Sequence, residues 1–263
     1  MYELITPVAP PETSDPHPLL SIGNLSCAYT SRAYGLFGRL EKKPVLERVN
    51  LEMSRHEIFG LTGESGCGKS TIARCILGLI PYTGEIAIDG EKQERYGGAQ
   101  SAAFTGAERL SRREQRLRRA RLAQMVFQES GASLNPVKTI GWLLEEPLLI
   151  QRLYDREERA RRVNETLIRV GLDPSYKKRL PHELSGGQKQ RVCIGRSLIL
   201  EPKFLIADEA INSLDVSTGA QILNLFRELN KRLGLGIFFI SHNTSAVEYL
   251  CGRIAFFRKP GAD

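Results

Sequence analysis

One octapeptide constrains this chain more than any other: Gly63-Glu64-Ser65-Gly66-Cys67-Gly68-Lys69-Ser70. Its glycines let consecutive backbone N–H groups turn inward around an anion. A helix starting at its end points its positive pole at the same place. The flanks fit. Glu57 to Thr62 reads as a short buried strand. Lys69 to Ile80 reads as a helix, with Ile72, Ile76, Leu77, Leu79 and Ile80 on one side and Pro81 as its stop. In such a loop Lys69 reaches the β- and γ-phosphates of a nucleotide and the Ser70 hydroxyl ligates Mg²⁺.

The rest of the chain alternates strands with helices. Leu20 to Tyr29 and Val45 to Met53 read as strands on either side of a loop holding Gly35 and Gly38. Glu85 to Ile88 runs into an Asp89-Gly90 turn, and Met125 to Phe127 is a further strand. Thr139 to about Leu172 is amphipathic and helical, with Arg156 to Arg162 on a solvated face, and Gln188 to Leu200 is a helix. Lys203 to Ala207 is a buried strand. Thr218 to Leu233 carries Ile222, Leu225, Phe226, Leu229 and Leu233 on one stripe closed by Gly234, and Gly236 to Ile240 is another buried strand. This order implies a parallel α/β sheet interrupted by a mostly helical subdomain at about 137–200.

Size and composition narrow the class. No stretch of the 263 residues approaches about 20 consecutive apolar positions, so membrane spans, if the protein works at a membrane, come from other chains. The first 19 residues hold Pro7, Pro10, Pro11, Pro16 and Pro18 without a basic start or apolar run, and read as a disordered leader rather than a secretory signal. Cys27, Cys67, Cys75, Cys193 and Cys251 form no CxxC pair and read as small buried hydrophobes in a reducing compartment. The net charge of +7 is concentrated in Arg109, Arg112, Arg113, Arg116, Arg118, Arg119 and Arg121. Such a run suits a nucleic-acid or anionic-lipid patch. The absence of interleaved aromatic side chains favours a solvated helix face on an insertion that begins with the polar, glycine-rich Glu91 to Gly106.

Two further constellations carry chemistry. Leu205-Ile206-Ala207-Asp208-Glu209 is a buried strand ending in two acids: Asp208 suits Mg²⁺, and Glu209 suits a general base acting on water. Leu184-Ser185-Gly186-Gly187-Gln188 opens a helix with a serine cap and two bare glycine N–H groups, a second anion-binding device. One nucleotide in one fold rarely needs both. Two copies facing head to tail would each lend this loop to the other's γ-phosphate.

With these motifs in order, Leu20 to Phe257 resembles the ABC ATPases. The resemblance implies a P-loop NTPase (RecA-like) α/β core with an antiparallel β subdomain and a helical signature subdomain, in one ATPase domain over 20–263. It implies ATP and Mg²⁺ as cofactors. Gly63 to Thr71 matches Walker A, with Gly63, Ser65, Gly66, Cys67, Gly68, Lys69, Ser70 and Thr71 around the phosphates. Leu184 to Gln188 matches the signature, with Ser185, Gly186, Gly187 and Gln188 on the nucleotide. Phe204 to Asp208 matches Walker B, and Glu209 the catalytic carboxylate. Gln128 matches the glutamine that touches Mg²⁺ and water, Ser213-Leu214-Asp215 the D-loop, His242 the switch histidine on γ-phosphate, and Tyr29 the aromatic that stacks on adenine.

Gln128 to Pro136 and Leu184 to Ala207 are also similar to the peptide/nickel importers, and Ala210, Val192 and Cys193 lean to the nickel branch. Asn243 stands where the family usually has Asp. The family normally continues past Ile254 to Phe257 with a turn, a strand and a tail, so the C-terminus is expected to be shortened, at some cost in strand pairing.

The expectation is an ATP-hydrolysing importer subunit, peripheral on the cytoplasmic face of the inner membrane. It would pair with a second ATPase (itself or a relative) and two permease subunits, and serve an extracytoplasmic binding protein indirectly, with no nucleic acid bound. Glu209, His242 and Gln128 would be catalytic, and Ser70, Gln128 and Asp208 would surround Mg²⁺. The competing class is a non-transport ABC ATPase acting on nucleic acid or ribosomes through the arginine run. A third is a regulatory subunit that binds ATP without transport.

Overall fold

The computed structural model describes residues 17–32, 40–93, 112–127 and 133–258. The leader to residue 16, most of the 91–106 insertion and Gln128 fall outside them.

Two sheets share one face of core. The first is antiparallel, in the order β2-β1-β4-β5, from β1 (Leu20–Arg32), β2 (Leu40–Met53), β4 (Thr83–Ile88) and β5 (Glu91–Lys92). The second is parallel, in the order β6-β7-β8-β3-β9, from β3 (Ile58–Gly63), β6 (Ala123–Val126), β7 (Phe204–Asp208), β8 (Gly236–Ile240) and β9 (Arg253–Phe257). β7 and β8 are buried along their whole length, as a parallel strand covered on both faces must be.

The period of two divides their side chains between two cores. Phe204, Ile206, Phe238 and Ile240 join Phe59 and Leu61 against the antiparallel sheet and helix α1 (Lys69–Ile76). Leu205, Ala207, Ile237 and Phe239 face the other way. They meet α3 (Ile140–Ile150), α4 (Arg156–Arg169), α5 (Gly186–Leu198) and α6 (Val216–Leu233). Helix α7 (Thr244–Leu250) completes that layer through Ala246, Val247 and Leu250.

Several boundaries differ from the sequence expectation. Helix α1 ends at Ile76 instead of Ile80. Gly78 takes φ 64° and returns its N–H to the Cys75 carbonyl, while Leu79 returns to Arg74. This left-handed turn closes the helix before Pro81, and Leu77 and Ile80 still pack on the core, which prolongs the apolar pattern. Helix α5 starts at Gly186, with Ser185 as its cap, and α6 starts at Val216, with Asp215 as its cap. Glu91 and Lys92, placed in an insertion, pair with β4.

The arginine run forms helix α2 (Arg112–Leu122), and part of its charge is used inside the fold. Arg118 reaches Glu91 at 3.0 Å, Arg119 Nε donates to Gln93 at 3.0 Å, and Arg121 Nε donates to Gln151 at 3.1 Å. Gln151 Nε2 in turn donates to the Leu117 carbonyl at 2.9 Å. The helix is clamped between the antiparallel sheet and the end of α3. Arg109 lies outside the described residues.

The cysteines are free thiols, four buried and Cys251 partly so. Burial pushes the Cys27 and Cys75 thiols up, and Cys251 to about 12, which suits inert packing groups.

Candidate nucleotide site

Three chain segments meet at the carboxyl ends of β3, β7 and β8, where open α/β sheets bind ligands. The loop after β3 begins at Gly63. Its φ is 145°, and a Cβ there would lie 2.1 Å from the carbonyl oxygen of Phe257 on β9. Only glycine lets the strand turn beside that neighbour. Gly68, at φ 110°, caps α1, and a Cβ would press to 2.8 Å from Leu46 of the antiparallel sheet. Lys69 is the first residue of α1 and is nearly all buried. Its ammonium folds back over the loop and donates to the carbonyls of Gly63 (2.8 Å) and Glu64 (2.7 Å). Ser65 and Gly66 form the exposed lip, and Cys67 and Thr71 are buried beneath it.

Asp208 ends β7 at the next-but-one strand. Its side chain is hydrogen-bonded with Ser70, yet Oδ1 is buried with no hydrogen-bond partner. Burial raises its pKa above the ordinary aspartate value; the Ser70 bond opposes this and the charge of Glu209 adds to it. A buried, half-satisfied carboxylate beside a hydroxyl fits a small hard cation. The described residues hold no cluster of three or more His, Cys, Asp or Glu side chains able to bind a metal unaided. The Asp208 carboxylate and Ser70 hydroxyl suit Mg²⁺ whose other ligands are phosphate oxygens and water.

Glu209 follows in left-handed backbone at φ 54°, an uncommon conformation for a residue with a side chain. Its N–H donates to the Ile240 carbonyl at 2.9 Å, so strand pairing continues one step past the turn and fixes it. Its carboxylate Oε2 lies 2.9 Å from Nδ1 of His242. His242 follows the fully buried Ser241, whose N–H donates to the Leu61 carbonyl of β3 at 3.2 Å. The histidine ring is therefore delivered from between the two strands that carry the loop and the acids. Asn212 Nδ2 is 3.2 Å from the same Nδ1. That nitrogen cannot both donate to Glu209 and accept from Asn212, so its tautomer selects the partner. Asn243 caps α7, its side chain accepting the Ala246 N–H at 3.1 Å.

Ser185 caps α5, as the sequence predicts. Ser185 Oγ accepts the Gln188 N–H at 3.3 Å, and Gln188 Oε1 accepts the Ser185 N–H at 3.0 Å, a reciprocal capping box. Gly187 packs where a Cβ would meet Thr218 at 2.4 Å. The cavity at this helix start, about 370 Å³, is lined by Ser185, Gly187, Gln188 and Thr218 and by none of the residues from Gly63 to Thr71. Asp215 caps α6 nearby, accepting the Thr218 N–H and hydroxyl, and these bonds hold its carboxyl below the usual aspartate range. Tyr29 is exposed on β1, opposite Lys43. Gln128 lies outside the described residues.

Three contributors went unnoticed in the sequence. Asn212 approaches His242, Arg74 lends charge near Asp208, and the buried Gln190 donates through Nε2 to the Ala210 carbonyl at 2.7 Å. Each acts through a neighbour distant in sequence.

The model of the family described as "ABC transporter" matches residues 46–212, from inside β2 to the Asn212 turn. The chain belongs to the ABC transporter family. Among curated proteins, the cassette is 41% identical over 250 residues to a glutathione import ATP-binding protein of Pectobacterium atrosepticum, a match covering 94% of this chain and 38% of that protein. It is 43% identical over 238 residues to a protein of Brucella ovis named for peptide import and ATP binding, covering 90% of this chain and 68% of that one. The cassette thus spans little more than a third of the first relative. Among solved structures, a dimeric ATP-binding cassette in a post-hydrolysis state with ADP and Pi matches at TM-score 0.72 and 28% identity, over 91% of this chain and 94% of that one. A component of an ABC transporter complex from Clostridium perfringens shares the fold at TM-score 0.74 and 24% identity, over 92% and 85% of the two chains.

Proposed function

We propose that the cassette binds and hydrolyses ATP as half of a two-subunit motor and drives the import of short peptides through a membrane permease. The observation that carries this reading is the corner made by Ser70, the unpartnered Asp208 Oδ1, Glu209 and His242 at the end of the Lys69 loop.

In the proposed cycle the loop N–H groups and the Lys69 ammonium take the phosphates, Lys69 exchanging its bonds to the Gly63 and Glu64 carbonyls for phosphate oxygens. Ser70 and Asp208, with Gln128, would hold Mg²⁺, which neutralises charge on the phosphates when bound. Glu209 turns from His242 to the attacking water and takes its proton, while His242, its Nδ1 accepting from Asn212, keeps its own proton on Nε2 and donates it in a hydrogen bond to the γ-phosphate. Tyr29 offers an exposed ring to adenine. The site is incomplete in one chain because the Ser185 loop opens elsewhere, so a facing subunit supplies it. The dimeric arrangement of the matched cassette supports this pairing.

The peptide cargo rests on relatives named for peptide and glutathione import. Nickel is the second reading, resting on Val192, Cys193 and Ala210. All three are buried, so their identities reflect packing. Two permease subunits and, indirectly, an extracytoplasmic binding protein would complete the assembly. No helix among the described residues is long and apolar enough to cross a membrane. In this reading the cassette sits on the cytoplasmic face beneath those subunits. The nucleic-acid alternative loses support because Arg118, Arg119 and Arg121 are engaged within the fold.

Uptake of labelled dipeptide, glutathione and nickel in a strain lacking this chain tests the cargo. Loss of dipeptide uptake, restored by the wild-type chain and not by the Lys69→Ala variant, is expected. Unchanged peptide uptake with lost nickel uptake would overturn it.

A further inference from the structure

The capping box at Ser185 is tethered by a third residue. The Gln188 side-chain amide is nearly symmetric in shape but not in chemistry. Oε1 must face the Ser185 N–H for the box to close, and a flipped amide would set two donors against each other. The other end, Nε2, donates to the hydroxyl oxygen of Tyr176 at 3.0 Å. The Ser185 N–H sets the orientation of the amide, since the phenol could also donate to a flipped one, and the Tyr176 bond tethers the far end of the side chain.

With the box closed, Ser185 Oγ accepts from Gln188 and keeps its own O–H for donation outward. The N–H groups of Gly186 and Gly187, in the first turn of α5, have no partner within the helix and point the same way.

Tyr176 is itself fixed. It sits in a 3-10 turn, Pro174–Lys178, opened by Asp173 as cap, with its ring packed on the helical core. The Arg179 guanidinium lies 3.9 Å over that ring. The Arg179 carbonyl accepts the N–H of Ile140, the first residue of α3, at 2.9 Å. Where α3 passes the turn, a Cβ on Gly141 would be 2.9 Å from the Lys177 carbonyl. An unbroken run of contacts therefore leads from the start of α3, through Arg179 and Tyr176, to Gln188 and Ser185.

We propose that Tyr176 is a positioning residue for the Ser185 loop. It holds the Gln188 amide in place so that Ser185, Gly186 and Gly187 present their donors to the γ-phosphate held by the facing subunit. This inference rests on the two-subunit reading above.

The test is a double-mutant cycle on ATP hydrolysis by the full-length chain, with any partner ATPase that co-purifies. The chains compared are wild type, Tyr176→Phe, Gln188→Met and the double variant. ADP affinity and Tm are measured on each. Tyr176→Phe removes one hydroxyl from a half-buried ring that keeps its packing. It should lower kcat/KM for ATP about five-fold, the effect of one hydrogen bond, mainly through KM. ADP affinity, set by the Lys69 loop, and Tm should stay at wild-type values. The double variant should match Gln188→Met alone, because the tyrosine acts through that amide. Wild-type kinetics in Tyr176→Phe, or losses that multiply in the double variant, would overturn the inference and leave the ATPase reading standing. A wild-type chain that neither binds ADP nor hydrolyses ATP would sink both.

Discussion

Oε2 of Glu209 lies 2.9 Å from Nδ1 of His242, so the side chains proposed for the attacking water and for the γ-phosphate touch across the ends of adjacent strands. The contact joins positions 33 residues apart. It orients an imidazole that is otherwise largely exposed. Removing the ring should leave nucleotide binding to the loop and lose the γ-phosphate donor. His242→Ala is expected to lower kcat about 100-fold, with ADP affinity within about two-fold of wild type. Steady-state ATPase assays and ADP titration check this.

Gly63 ties the phosphate loop to the sheet edge. Any side chain there meets the Phe257 carbonyl and must adopt φ 145°. Gly63→Ala should cost at least about 2 kcal/mol, through separation of β9 from β3, and should weaken nucleotide binding with it. Denaturant unfolding and ADP titration on the same preparation read both effects.

The charged form of Asp208 costs stability through its burial. Its folded-state pKa is raised, chiefly by burial, so the folded chain holds that proton more tightly than the unfolded one. Its contribution to stability is fully present below the ordinary aspartate value and is lost as pH rises through the raised one. Asp173 and Asp215, held low by hydrogen bonds, work in the opposite sense: their contributions are present above the ordinary value and lost as pH falls. Asp208→Asn isolates the first effect. At neutral pH and without nucleotide it should raise Tm by about 2–4 °C. The gain should shrink as pH falls through the raised pKa and the wild-type carboxyl takes up its proton, and ATP hydrolysis should be lost throughout. Thermal scans across pH in the two chains check this.

Asn243 replaces the aspartate expected at that position and still caps α7. Asn243→Ala should cost about 1 kcal/mol and Asn243→Asp almost nothing, since both Asn and Asp accept the Ala246 N–H. Neither should change ADP affinity. Urea melts of the three chains measure the difference.

Much of this was legible because the chemistry is local. A strand, three glycines, a lysine and a serine specify the phosphate loop within one stretch, and Ser185 with Gln188 specifies its own capping box. Helix and strand periods also assign side chains to the two cores. Other features depend on residues that meet only after folding. Gly78 ended α1 early while Leu77 and Ile80 kept the apolar pattern running. The arginines of α2 found Glu91, Gln93 and Gln151, which no local pattern links to them. Phe257 gives Gly63 its reason from 194 positions away, through the register of two parallel strands. Tyr176 carries no motif; only its contact with the Gln188 amide shows what it does.

The account centres on hydrolysis by Glu209 in a site completed by a second subunit. The most direct measurement compares ATP turnover and ATP-dependent association in the wild-type and Glu209→Gln chains, each with any partner ATPase that co-purifies. The substitution keeps size and removes the base. Turnover should fall at least about 1000-fold, while ATP stabilises the associated form, seen as a shift to the dimer in size-exclusion chromatography with light scattering. Wild-type turnover in Glu209→Gln, or full activity from a chain that stays monomeric with ATP, would contradict the account.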